Sequence, residues 1–292
     1  MMFGTGDLFH YFACAGCGCV QLADPPTDLA RYYPGGYHAF EPPPRRRGMR
    51  RALRVLRNRG TFAPRGLIDR ALAKMFQYPV PGAADWMRRA RIGSHARVLD
   101  VGCGTGALLA DMATAGFDRL AGVDPFLPSE VATDASVQLV RGLVNHVDGL
   151  FDLVMLHHSF EHVPDPRATL RAVASKLAPG GCCLIRIPIA SSWAWEHYRE
   201  HWVQLDAPRH FFVHTVDSLR RIAGEAGLAI EATIHDSSAF QILGSELYRA
   251  NRPLTELPTA FTKAEWKAAS RRAHRLNAEG RGDQAAFYLR KQ

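Results

Sequence analysis

The 292-residue chain has no run of about 18 apolar residues, so no membrane-spanning helix is expected. Its opening, MMFGTGDLFHYF, lacks a charged-then-apolar leader. Together these absences lead to the expectation of a cytoplasmic protein. Cysteine is sparse: Cys14, Cys17 and Cys19 cluster, Cys103 stands alone, and Cys182 and Cys183 are adjacent. That spacing is not a secreted disulfide framework, and reduced thiols are expected. Acidic residues are missing from one stretch in particular. RRRGMRRALRVLRNR, residues 45–59, holds eight arginines and no carboxylate, which equals the whole net charge of +8. Aromatics are missing there too, so nucleic acid is not the expected partner. A solvated basic helix is the plain reading. Met49, Leu53 and Leu56 also form an apolar stripe among the arginines, which leaves open peripheral contact with an anionic membrane or a phosphate-bearing substrate.

What is present becomes regular after Gly93. ARVLDV reads as a strand, and GALLADMATAG as a helix with Leu108, Leu109 and Met112 on one face and Gly116 as its stop. RLAGVD, VQLVRG and FDLVMLH are further strands. Asp165 caps a helix with Pro166 at its start and Leu170, Val173, Ala174 and Leu177 at helical spacing. APGG stops that helix, CCLIRIP is the fifth strand, LAIEATIHD the sixth and QAAFYLRK the last, with a mostly helical insertion over 240–280 between the last two. This alternation predicts an α/β, doubly wound, Rossmann-like parallel sheet, with its ligand past the carboxyl ends of the strands. The expected organisation is a small Cys- and aromatic-rich module over 1–40, a basic helical connector over 41–90 and the catalytic domain over 91–292.

The turn in RVLDVGCGTG, residues 97–106, is the sharpest signal. It lacks the G-x-G-x-x-G spacing of a dinucleotide site and the Gly-Lys-Ser/Thr of a phosphate loop. Asp100 precedes the first glycine by two residues, and an acid aimed into such a turn suits a cationic ligand without phosphate. S-adenosylmethionine, with its ammonium and sulfonium, has that character.

The chain resembles the class I S-adenosylmethionine-dependent methyltransferases through VLDVGCGTG, AGVD, FDLVMLHHSFEHVPDP and LAPGGCCLIRIP, in that order over residues 97–188. HWVQLDAPRHFFVHTVDSL further resembles the substrate-side segment of a bacterial subgroup associated with surface-glycan assembly. The resemblance implies a seven-stranded sheet, S-adenosylmethionine as cofactor and S-adenosylhomocysteine as product. It places Asp100, Gly102, Cys103, Gly104 and Gly106 on the methionine and ribose parts, and Asp124 with Pro125 at the ribose hydroxyls. An acidic adenine contact is missing, because Arg141, Gly142 and Leu143 follow the third strand; the amides of Gly142 and Leu143 are the expected donors. His157 would border the methionine moiety.

Loss of a hydroxyl proton during methylation favours a general base. His158, His162, His210 and His214 are candidates, with His158 and His210 preferred and with Asp206 and Arg209 orienting the base or an anionic substrate group. The chain lacks Asn-Pro-Pro-Tyr and Asp-Pro-Pro-Tyr after the fourth strand and a cysteine after the fifth in RIP. Planar amino groups and cytosine carbon are therefore not the expected acceptors. By resemblance the expected acceptor is small-molecule or glycan-linked, a sugar hydroxyl first and a sugar carbon beside it, with a quinone-like phenol left open. The alternatives are an RNA methyltransferase using the basic run and a non-catalytic cofactor-binding subunit; a monomer and a homodimer are both compatible. Trp193, Trp195 and Trp202 either wall the acceptor pocket or cover the sheet edge.

CAGCGCVQLADPP resembles half of a small zinc-binding domain found before some sugar methyltransferases. One C-x-x-C supplies two thiolates where a structural zinc takes four ligands. Either preceding residues carry the other pair, or His10 and Cys19 complete a poorer site, or no metal binds; the last is the expectation, and no metal is assigned. By resemblance the module folds over the cleft with Tyr32, Tyr33 and Tyr37 as pocket residues.

Overall fold

A computed structural model describes residues 7–33, 48–64, 66–75, 78, 80, 82–127 and 136–292. Its elements in chain order begin with a short hairpin, β1 (Tyr11–Ala13) and β2 (Val20–Leu22), followed by α1 (Met49–Phe62), α2 (Leu67–Met75) and α3 (Ala83–Ala90). The regular part runs β3 (Val98–Val101), α4 (Ala107–Thr114), β4 (Leu120–Asp124), β5 (Val137–Arg141), β6 (Phe151–His157), α5 (Pro166–Lys176) and β7 (Leu177–Pro188). Then come α6 (Trp193–Tyr198), β8 (Phe212–Val213), α7 (Val216–Glu225), β9 (Leu228–His235), α8 (Ala239–Arg249), α9 (Leu257–Ala260), α10 (Lys263–Ala278) and β10 (Gln284–Lys291).

The main sheet has seven strands in the order β5-β4-β3-β6-β7-β10-β9, parallel from β5 to β7, with β10 antiparallel to both its neighbours. This is the doubly wound architecture the alternation predicts. The chain leaves β3 toward β4 and β5 and returns to β6 on β3's other side, so the strand order reverses there and opens a crevice beyond the carboxyl ends.

Both faces of the sheet are covered, which is why β3 reads as an unbroken apolar run around one aspartate. Val98, Leu120, Leu153 and Met155 pack with Leu109 and Met112 of α4, Trp86 and Met87 of α3, and Phe62 of α1. Leu99, Val123, Val154 and Leu156 face the other way, against Leu170 and Val173 of α5 and Leu219 and Ile222 of α7. The helices over 239–278 form a satellite cluster in which Leu243, Leu247, Ala269 and Ala273 meet.

Local chemistry sets the boundaries. Asp165 accepts the Ala168 amide at 2.9 Å with Pro166 in the first turn, which fixes the start of α5. APGG differs from its reading as a plain stop. The strand begins already at Leu177, opposite Phe151, and the next pair is Leu153 with Cys182, so residues 178–181 bulge out of the ladder.

The segment expected as a connector forms, in its described part, a layer of the fold. Asn58, Thr61 and Phe62 of α1 are buried. Arg54 Nε donates to Asp111 of α4 at 2.6 Å, Arg57 lies 3.6 Å from the same carboxylate, and Arg59 Nη2 donates to Asp69 of α2 at 2.7 Å. Three of the five arginines from Arg50 to Arg59 are thereby tied to carboxylates inside the fold; Arg45–Arg47 lie outside the described residues. The N-terminal hairpin is likewise joined to the body. β2 pairs antiparallel with β8, and Val20 packs with Tyr198, Trp202 and Val213. Trp202 is fully buried there and donates Nε1–H to Asp283 at 2.7 Å, so it is a core residue and lines no pocket.

Candidate active site

At the end of β3 the chain turns on Gly102, Gly104 and Gly106, all with φ between 52° and 75°. Close approach, as well as φ, demands glycine at Gly102: a Cβ there would lie 2.3 Å from the Cβ of Ser159. Ser159 itself donates to the Val101 carbonyl at 2.6 Å, locking the β6 end onto the β3 end. Asp124, at the end of β4, accepts the Gly104 amide at 2.9 Å through one oxygen and the Phe126 amide at 2.8 Å through the other. It holds the turn in shape while keeping lone pairs on both oxygens. Cys103 donates its amide to Val123 at 3.3 Å, and burial pushes its thiol well above the usual range, so it is a packed neutral thiol of the turn.

Asp100 is buried beside this turn. Desolvation first, and the nearby Asp124 second, push its carboxyl up to about 7. A cationic ligand would relieve that penalty, so the donor set fits an ammonium or sulfonium group.

The adenine side requires a correction. The amide of Gly142 donates to the Asp124 carbonyl at 3.1 Å and that of Leu143 to His146 Nδ1 at 3.2 Å. Both expected donors are engaged within the protein. The surface offered instead is apolar: the side chains of Phe126, next to Pro125, and Leu143 are 66% and 61% exposed, large fractions for such residues at a crevice mouth. A flat base suits such a surface through stacking.

Beyond the β6 end lies a second, ionisable wall. His158 has φ 50° and is held from both sides. Arg186 of β7 donates Nη1–H to His158 Nε2 at 2.7 Å, and His158 Nδ1 then donates to Glu161 Oε1 at 3.3 Å. Arg186 is in turn paired with Asp236 at 2.5 Å, and Asp236 with Gln284 at 2.8 Å. With both ring nitrogens engaged, His158 has no lone pair to offer for the base role expected of it, and it is tied to Glu161.

His210 Nδ1 pairs with the Gln204 carbonyl at 2.8 Å and His162 Nδ1 with the Arg209 carbonyl at 2.8 Å. The two rings meet edge to face at 4.7 Å. Burial, then the His162 charge, lowers His210 to about 4, so it is neutral at pH 7 and a weak base. Glu161 is fully enclosed, yet against desolvation its carboxyl is held down at about 2, first by the hydrogen bond from His158 and then by the neighbouring His162 and His210. Arg209 grips Asp206 through two bonds of 2.6 and 2.5 Å, and its guanidinium lies 5.6 Å from the Tyr33 ring centre. Tyr33 also lies 6.3 Å from Phe126 and 6.5 Å from His162, so the N-terminal segment spans the two walls.

Several expected residues lie elsewhere. His157 lies tilted against Trp86 with ring centres 4.2 Å apart and both its ring nitrogens buried and unpartnered, and burial holds it well below its ordinary pKa. His214 lies between Phe160 and Phe212 and reaches Ser218 at 3.1 Å and Cys19 at 3.8 Å, so it belongs to the hairpin junction. Tyr32 donates to Asp7 at 2.9 Å, and Tyr37 lies outside the described residues. Sequence reasoning missed Arg186, Asp236, Ser159 and Trp86; an arginine inside the apolar run CCLIRIP was the available signal for the first.

The chain matches the family described as a methyltransferase domain over residues 62–233. That span exceeds half of its length, and the chain belongs to the class I S-adenosylmethionine-dependent methyltransferase family, with S-adenosylmethionine as cofactor. The ubiquinone biosynthesis O-methyltransferase of Xanthomonas euvesicatoria pv. vesicatoria (strain 85-10) is 43% identical over 97 residues, covering 30% of this chain and 40% of that protein. The match thus spans less than half the length of this curated relative. An S-adenosylmethionine-dependent methyltransferase from Mesorhizobium loti superposes with a TM-score of 0.47 at 19% identity, over 72% of this chain and 99% of the other. The 1,6-didemethyltoxoflavin-N1-methyltransferase of Burkholderia thailandensis, solved with 1,6-didemethyltoxoflavin and S-adenosylhomocysteine, gives 0.46 at 15% identity over 98% and 100% of the two chains.

Proposed function

We propose that this chain methylates a hydroxyl oxygen of a small-molecule or glycan-linked acceptor. Bound S-adenosylmethionine supplies a methyl carbon activated by its sulfonium. Asp100 attracts the cationic part of the cofactor, Asp124 accepts from the ribose hydroxyls, and Phe126 and Leu143 pack the base. The observation that carries the acceptor reading is the convergence of Glu161, His162, Asp206, Arg209 and His210 on one side of the crevice. Arg209, with Asp206 fixing its fork, orients a polar or anionic acceptor group. The Glu161–His162–His210 cluster polarises the acceptor hydroxyl, and Tyr33 limits water at the mouth. Positioning supplies most of the rate, because a near-attack geometry replaces a bimolecular encounter. The O-methyltransferase name of the Xanthomonas relative supports oxygen as the acceptor atom.

A membrane-borne acceptor is a second reading with its own support. Met49, Leu67, Ile68 and Met75 of α1 and α2 are exposed beside the basic run, which suits an anionic lipid surface. An RNA acceptor is less well supported, since Arg54, Arg57 and Arg59 are engaged with Asp111 and Asp69.

The test is a transfer assay with radiolabelled S-adenosylmethionine against nucleotide sugars, lipid-linked glycans, dihydroxyphenols and RNA. O-methylated product from a sugar or phenol supports the reading. Label in RNA alone, or cofactor binding with no transfer to any of them, overturns it.

A further inference from the structure

Glu161 and His162 follow the end of β6, and His210 reaches them from the segment before β8; one ligand atom of each lies within 4.8 Å of the other two. Glu161 is fully buried, and its Oε2 has no hydrogen-bond partner. A buried carboxylate oxygen without a donor is costly to maintain. The histidines show a complementary feature. Each gives Nδ1–H to a backbone carbonyl, His162 to Arg209 and His210 to Gln204, both at 2.8 Å. That outer hydrogen bond fixes the tautomer and leaves Nε2 of each ring with its lone pair, the arrangement metal-ligating histidines have. His210 Nε2 faces Asp206 Oδ2 at 3.6 Å and Glu161 Oε1 at 3.9 Å. Lone pairs thus face lone pairs across gaps too long for hydrogen bonds, and a cation between them would satisfy all of them.

We propose that Glu161, His162 and His210 bind one divalent transition-metal ion, of the zinc, cobalt or manganese class. Two imidazoles and one carboxylate are borderline ligands that suit these ions over magnesium or calcium. With metal–nitrogen bonds of about 2.0–2.1 Å the ligand atoms would sit about 3.3 Å apart, so the His210–Glu161 pair, now 3.9 Å apart, draws together on binding. Three protein ligands leave a position open.

The functional consequence rests on the hydroxyl-acceptor reading above. The ion would take the acceptor hydroxyl as a further ligand and lower its pKa, so that its proton leaves to bulk water. The oxygen then forms the bond to the methyl carbon as the carbon–sulfur bond breaks, yielding the methyl ether and S-adenosylhomocysteine. The ion has no redox role and no oxidant is required.

The experiment uses the full chain, stripped with a chelator, dialysed and titrated calorimetrically with Zn²⁺ and spectroscopically with Co²⁺. S-adenosylhomocysteine is titrated in parallel. One ion per chain should bind, with a visible Co²⁺ spectrum of nitrogen and oxygen ligation. His162→Ala and His210→Ala should each weaken binding at least tenfold without changing S-adenosylhomocysteine affinity. A Cys14→Ser, Cys17→Ser double variant should bind the ion as tightly as the parent. The proposal is overturned by a chain that binds S-adenosylhomocysteine but no ion, by undiminished binding in both histidine variants, or by a thiolate spectrum that the cysteine substitutions abolish. Ion binding with no methylation of any hydroxyl acceptor would leave the metal site standing and overturn the acceptor reading instead.

Discussion

The wall proposed to hold the cofactor, here the cofactor wall, is made mainly of backbone. Three glycines make the turn, Asp124 accepts two of its neighbouring amides, and the pieces come from the ends of adjacent strands β3 and β4. The wall proposed to face the acceptor, here the acceptor wall, is made of side chains from residues 158–162, 186, 206–210 and 236, each held by another. A backbone turn tolerates change in its surroundings because its shape is set by local φ, whereas a side-chain network fails when one member is removed.

The largest effect should therefore come from breaking the acceptor wall at its least exposed link. Arg186→Met leaves the buried Asp236 with Gln284 but without its cationic partner and should cost about 3–5 kcal/mol in denaturant unfolding. A loss under about 1 kcal/mol would show that the network does not depend on this ion pair. On the other wall, Asp124→Ala should keep the fold but weaken S-adenosylhomocysteine about 100-fold, or about 2.7 kcal/mol, by calorimetry. Retained affinity would mean that Asp124 only shapes the turn.

Asp100→Asn sharpens the contrast through pH. The folded carboxyl titrates at about 7 against about 3.9 in an unfolded chain, so the folded state holds the proton more tightly. Stability of the free protein should then fall as pH rises from about 4 to 7 and level off above, by proton linkage. S-adenosylmethionine affinity should move the opposite way, rising through pH 7 as the carboxylate forms. Asp100→Asn should remove both trends, raise the free protein's Tm at pH 8 by roughly 3–6 °C, and lower cofactor affinity about tenfold. An unchanged affinity profile in the variant would assign the pH dependence elsewhere. The smallest effect is expected away from both walls: Arg54→Ala, half-buried against Asp111, should cost about 0.5–1 kcal/mol and leave cofactor affinity unchanged.

Particular residues show where reading the chain stops. The glycine turn, Asp124 and the Asp165 cap were legible because each works through neighbours within a few positions. The amides of Gly142 and Leu143 looked available because nothing local reveals that the Asp124 carbonyl and His146 take them. His158 looked like a base for the same reason, since Arg186 lies 28 residues away in sequence and 2.7 Å away in space.

The sequence by itself determined the doubly wound sheet, the order of its strands and helices, and the glycine turn after the first strand of that sheet. Those follow from apolar period, caps and glycine positions, which act over one turn or one strand. Only the tertiary structure decided that the arginine-rich helix packs onto the sheet, that the N-terminal hairpin joins β8, and which nitrogen of each histidine faces the cleft. Tautomer, burial and charge pairing depend on groups brought together by the strand crossing, and no local pattern in the chain encodes who those partners are.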